Sequence, residues 1–81
     1  MFIAKVVVTL KSSVLDPQGV TIKHAVDSLG YKKVEDVRMG KYFELKMKGA
    51  DKASVEKELV DICEKLLINP VIESYSYIIE S

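Results

Sequence analysis

The stretch FIAKVVVTL, residues 2–10, limits the choice of fold more than any other part of the chain. Phe2, Ala4, Val6, Val8 and Leu10 alternate onto one side of an extended backbone, which marks a strand buried on that side. The other side carries Ile3, Lys5, Val7 and Thr9 and is only half polar. A strand of this kind wants cover on one face and partial cover on the other. With 81 residues the chain makes one small domain, residues 1–81, whose single core gives limited stability. Small domains are reinforced by disulfides, metals or association. Cys63 is the only cysteine and His24 the only histidine, so an intrachain disulfide is excluded and a Cys/His metal cluster lacks ligands. Association remains.

Further along, Asp16 is a good helix N-cap, Pro17 fits the first helical position, and Leu15 and Val20 have the spacing of a hydrophobic staple. Ile22, Ala25, Val26 and Leu29 then predict a helix with one apolar stripe, ended by Gly30. Residues 33–39 (KVEDVRM) read as a second strand and 42–48 (YFELKMK) as a third, joined by a tight hairpin at Gly40-Lys41. In that third strand Phe43, Leu45 and Met47 share a face, and Tyr42, Glu44, Lys46 and Lys48 share the other. Asp51 caps a longer helix reaching about residue 68, with Val55, Leu59, Ile62, Cys63 and Leu66 as its stripe. Asn69-Pro70 stops it, because proline drives its predecessor out of helical geometry. Residues 71–79 (VIESYSYII) form the last strand and are apolar on both sides.

The order β-α-β-β-α-β predicts an α+β domain on the ferredoxin-like plan: a two-layer sandwich with a four-stranded antiparallel sheet and two helices on one face. The other sheet face is then uncovered, and Ile3 and Val7 on it call for a partner. The companion set from 71–79 is either Tyr75 with Tyr77 or Ile72 with Ile78, since a one-residue slip exchanges them. We take Ile3, Val7, Tyr75 and Tyr77 as the homodimer face. Pairing through an edge strand is the competing mode.

No catalytic constellation emerges. Cys63 lies on an apolar helix stripe toward its C-terminal end, which suits inert packing better than thiolate chemistry. His24 flanks the first helix's stripe and reads as a solvated side chain. No serine–histidine–acid set, carboxylate pair or glycine-rich phosphate loop can be assembled. Twelve basic and twelve acidic residues cancel, so nothing draws the chain as a whole toward nucleic acid or an anionic membrane. No apolar run approaches a membrane span and the N-terminus lacks a signal-peptide layout, which predicts a cytoplasmic protein. RNA-binding RRM domains share the element order. Their third strand, however, places two aromatics two residues apart to stack bases from one face. Tyr42 and Phe43 are adjacent and point to opposite faces, so that reading loses. A small-molecule regulatory module with a ligand niche between subunits stays open.

Four segments, VTLKSSVLDPQG (8–19), SLGY (28–31), VEDVRMGKYFEL (34–45) and CEKLLINPVIESY (63–75), together resemble the PurS family over essentially the whole chain. The resemblance implies a small subunit of phosphoribosylformylglycinamidine synthase. That complex converts formylglycinamide ribonucleotide, glutamine and ATP to the amidine, glutamate, ADP and phosphate. It implies no catalytic residue, metal or cofactor on this chain, with ATP and Mg²⁺ on a PurL-like synthetase and ammonia released by a PurQ-like glutaminase. Its implied role is to bridge these two partners as a homodimer, with tetramers open when they are absent. The residues expected to dock on them are Asp16, Pro17, Gln18 and Gly19 in one loop and Arg38, Gly40, Lys41 and Tyr42 in the other.

Overall fold

The computed structural model describes residues Met1–Ser81. Strand β1 (Phe2–Leu10) lies at the centre of a three-stranded sheet, between β2 (Gly40–Met47) and β3 (Glu73–Glu80), and is antiparallel to both. Val6 faces Phe43 on one side and Tyr77 on the other, and this register decides which side chains share a face. One face carries Ala4, Val6, Val8, Phe43, Leu45, Met47, Tyr75, Tyr77 and Ile79. Helix α2 (Lys52–Ile62) covers that face, burying Val55 and Leu59 against β1, with Cys63 just beyond it. Asp51 caps α2 as its sequence implies, its carboxylate accepting from Ser54 N at 2.9 Å.

Helix α1 (Pro17–Ser28) also has the expected ends. Asp16 accepts from Gly19 N at 2.9 Å, and past the last turn Gly30 N donates to Asp27 O and Tyr31 N to Val26 O. Gly30, at φ +89°, takes the left-handed conformation that this closure needs. Yet α1 contributes no side chain to the core. Residues 11–39 form an arm of loop, helix and extended return that projects from one end of the sheet. The Cα radius of gyration is accordingly 16.2 Å, where a compact chain of this length has about 12 Å, and the molecule measures 51 × 26 × 14 Å.

The fold is therefore α+β, with a three-stranded antiparallel sheet and two helices, of which only α2 packs on the sheet face where both were expected, and it departs from the sequence expectation in four further places. Residues 33–39 form no strand. Val34 and Val37 are three apart and cannot share a strand face, and no backbone–backbone hydrogen bond holds this stretch. The Gly40-Lys41 hairpin is likewise absent, because Gly40 already belongs to β2 and pairs with Thr9. Glycine is needed there because its Cα lies against the Val8 carbonyl, with no room for a Cβ. The long helix stops being α-helical at Ile62. Cys63–Leu67 form a wider π turn closed by Ile68 N on Cys63 O at 3.0 Å. The extra residue in that turn rotates Leu66 out to 78% exposure and brings Leu67 onto the core in its place. Finally, Tyr75 and Tyr77 lie on the helix side, their hydroxyls donating to Glu64 (3.1 Å) and Glu56 (2.8 Å). They do not share a face with Ile3 and Val7. Ser76 and Ile78 do.

Candidate docking site

The two loops singled out from the sequence meet at the end of the sheet where the arm departs. Asp16 joins them. One carboxylate oxygen accepts from Gly19 N and the other from Met39 N, both at 2.9 Å, so the entry and the exit of the arm are tied to one side chain. The carboxylate is 7% exposed. The two backbone N–H donors, helped by the Arg38 guanidinium 3.9 Å away, hold its pKa below the ordinary carboxylate value. Gly19 is buried against the Val37 carbonyl and the Asp16 carboxylate, where any Cβ would collide. Arg38 spans the same junction, its Nη2 donating to Leu10 O at 2.7 Å and to Lys11 O at 3.2 Å.

Next to this knot Lys41 and Glu73 reach across β1 from its two neighbours, Nζ to Oε2 at 3.7 Å. Glu73 is largely buried and also accepts from Asn69 N at 2.7 Å. Together with Gln18 and Met39 they enclose a cleft of about 210 Å³ whose floor is Val8 and Leu10. Asp16, Gln18, Gly40 and Lys41 thus border one cleft, and Arg38 and Gly19 lock it from behind. Pro17 opens α1 above it. Tyr42 is not part of this group. It pairs with Val7 on the opposite sheet face and donates to Glu44 at 3.3 Å. Glu73 and Asn69 were not singled out as docking residues from the sequence, because only pairing of β1 with both neighbours brings residue 73 within reach of residue 41.

Chemically the corner offers a lysine ammonium, a carboxamide and fixed backbone groups. Cys63 lies elsewhere and is fully buried, and burial pushes its thiol pKa up, away from thiolate chemistry. The open sheet face is mixed. Val7, Ile78 and Ile3 lie among the Lys5–Glu80 ion pair (2.9 Å), Tyr42 and Glu44. Tyr42 and Phe43 do lie on opposite faces, and Tyr42 is the one aromatic ring on the open face. No helix is long and apolar enough to cross a membrane.

The model of the family described as PurS: Phosphoribosylformylglycinamidine (FGAM) synthase matches residues 3–81. The phosphoribosylformylglycinamidine synthase subunit PurS of Bacillus subtilis (strain 168) is 49% identical over 80 residues, covering 99% of this chain and 94% of that protein. Among solved structures, a C2 crystal form of B. subtilis PurS superposes with a TM-score of 0.89 at 48% identity, covering 100% of both chains. A chain in the structure of PurLQS from Thermotoga maritima superposes with a TM-score of 0.88 at 28% identity, covering 99% of each.

Proposed function

This chain belongs to the PurS family, and on that premise we propose that it is the small subunit of phosphoribosylformylglycinamidine synthase in de novo purine biosynthesis. In this reading it bridges a PurL-like synthetase and a PurQ-like glutaminase. Bridging supports the passage of ammonia from glutamine to the activated formylglycinamide ribonucleotide. The observation that carries the reading is whole-length similarity, in sequence and in fold, to a chain of the T. maritima PurLQS structure. In this reading the chain supplies contact and no chemistry, in keeping with the sealed Cys63 thiol. ATP and Mg²⁺ belong to the synthetase subunit. The working unit is a homodimer, able to pair into tetramers when the larger subunits are absent, and its place is the cytoplasm.

Docking to the larger subunits falls to the corner cleft, with Gln18 and the exposed ammonium of Lys41 as its polar groups. Arg38 serves it indirectly, because its guanidinium is spent on Leu10 and Lys11. The four-strand, two-layer plan is proposed for the assembled state alone, where the backbone of residues 32–38, which makes no backbone–backbone hydrogen bond, would meet a partner edge. The test is reconstitution. Purified synthetase and glutaminase from the same cell are assayed for glutamine-dependent amidine formation with and without this chain. Omission is expected to abolish the activity. Full activity without the chain would overturn the reading, as would a pull-down that recovers RNA and neither subunit.

A further inference from the structure

The corner cleft breaks the pattern of the sheet face to which it belongs. Along β2 the helix-side positions read Lys41, Phe43, Leu45 and Met47, and along β3 they read Glu73, Tyr75, Tyr77 and Ile79. Two charged residues thus occupy core-facing positions at one end of the sheet, and no residue of α2 borders the cleft between them. An ion pair closing the end of the core would explain them, but the pair is not closed. Lys41 Nζ and Glu73 Oε2 stand 3.7 Å apart, beyond hydrogen-bond length. The Glu73 side chain is 12% exposed and fixed, its Oε1 taken by Asn69 N, whereas that of Lys41 is 63% exposed on a flexible stem. So open a pair adds almost nothing to stability.

The other charged groups of the corner already have partners. Both Asp16 oxygens accept from backbone N–H groups, and Arg38 donates to the Leu10 and Lys11 carbonyls. What is left for the cleft is one ammonium, one carboxylate oxygen and the Gln18 carboxamide, over an apolar floor of Val8 and Leu10.

Charge and volume then limit the ligand. Asp16 and Glu73 balance Arg38 and Lys41, so a simple anion or cation entering the cleft would leave one charge uncompensated. A molecule carrying one charge of each sign would not. The volume of about 210 Å³ falls short of the ~300 Å³ at which pockets for drug-sized molecules begin, which excludes a nucleotide. At ~30 Å³ each it would hold about seven waters, the scale of one small metabolite.

We infer that this cleft binds a free, neutral α-amino acid as its zwitterion. The α-carboxylate is taken by Lys41 and Gln18, the α-ammonium by Glu73 Oε2, and the side chain lies on Val8 and Leu10. The inference goes beyond the docking role assigned to the same corner, since it concerns the chain without its partners.

The experiment is a ¹H–¹⁵N correlation titration of the full chain with L-alanine and with L-glutamine, each to about 50 mM, well above the ~1 mM dissociation constant expected of two such charge contacts. Saturable shifts are expected at the amides of Leu10, Gln18, Lys41 and Glu73, with those of Val55 and Leu59 unmoved. Glu73→Gln keeps an acceptor for Asn69 N and Lys41→Met keeps the stem. Each is expected to weaken binding about tenfold or more. Acetate and ethylammonium, the two halves of the ligand, should bind far more weakly than alanine. No saturable shift at the cleft overturns the inference, and so does unchanged binding in either variant. Acetate saturating as readily as alanine would make Lys41 a plain anion site, and ethylammonium doing so would make Glu73 a plain cation site. Either result overturns the inference. Where a variant fails to fold, alanine against its two halves on the wild-type chain decides. None of these results bears on docking, which reconstitution tests separately.

Discussion

The sheet with α2 and the arm of residues 11–39 are held by different forces, although they belong to one short chain. In the first, Ala4, Val6, Val8, Val55, Leu59 and Cys63 are almost wholly out of water, and hydrogen-bonded strands surround them. In the second, one carboxylate, one guanidinium and the caps of a single helix set the shape. Burial is non-directional and scales with area, so the sheet and α2 tolerate many polar changes at their surface. A polar knot is directional and local, and a single substitution can release everything it holds. The first region contains the whole hydrophobic core. The second keeps its position only if the knot is intact.

The contrast is broken most severely at Leu59. Leu59→Ala leaves a void between α2 and β1 and is expected to remove about 2–5 kcal/mol from the unfolding free energy in denaturant titration. Ile22→Ala on the arm should cost far less when the protein is diluted until any dimer dissociates. Equal losses at high dilution would mean that the arm is packed within its own chain, and the distinction between the regions would fail.

Next in size is Asp16→Ala, which removes the acceptor shared by Gly19 N and Met39 N. The melting temperature is expected to fall by about 5–10 °C. Amide exchange at Gly19 and Met39 should accelerate while that of Val6 and Val8 stays slow. The effect depends on pH, and its sign follows from the lowered pKa. The carboxylate's contribution is complete above the ordinary Asp value of about 4 and disappears as pH falls through the depressed folded value. Melting curves of wild type and variant should therefore converge on acidification. A gap that persists well below pH 4 would show that the charge is not what holds the arm.

How much of this architecture was legible follows from how local each signal is. Asp16, Asp51 and Gly30 are read correctly because a cap is decided within four residues, and the Phe43/Leu45/Met47 face because alternation is decided within five. The register of β3 was not decidable, since residues 71–79 are apolar on both sides. Only the pairing of Val6 with Tyr77 assigns the tyrosines to the helix side. The π turn at Cys63–Leu67 has no composition of its own, so the stripe extrapolated through Leu66 instead of Leu67. The expected docking residues other than Tyr42 converge because Asp16 reaches Met39, a contact across 23 positions that no periodicity encodes. The arm itself could not be foreseen. An apolar helical stripe does not say whether its own chain will cover it.

A smaller effect on stability, but a sharper one on function, is expected at the cleft. The Lys41–Glu73 pair is 3.7 Å long and its ammonium is exposed, so Lys41→Ala should change stability by no more than about 0.5 kcal/mol. Glutamine-dependent amidine formation by the reconstituted complex should nevertheless fall, while the variant stays folded. Arg38→Ala should lose stability and activity together, because its guanidinium bonds to its own backbone. Normal coupling in both variants would remove the corner cleft as the docking surface.

A change of similar size is expected where burial and a polar contact meet, at Tyr75. Its ring lies over the core side of β3, 6.3 Å from that of Tyr77, and its hydroxyl donates to Glu64 on the π turn at 3.1 Å. Burial first, and the neighbouring Glu64 carboxylate second, push its pKa up to about 12. Ionisation is thus disfavoured in the folded chain relative to the unfolded one. The stabilisation that follows is complete below the ordinary tyrosine value of about 10 and is lost as pH rises through the raised folded value. Tyr75→Phe keeps the ring and removes only the hydroxyl, so at neutral pH it should cost about half a kcal/mol. In an ultraviolet titration of the folded protein, the same substitution should delete the phenolate step near the top of the curve and leave the earlier steps in place. Loss of an early step instead would mean that the Tyr75 hydroxyl faces water, and that β3 is not pinned to the π turn at this point.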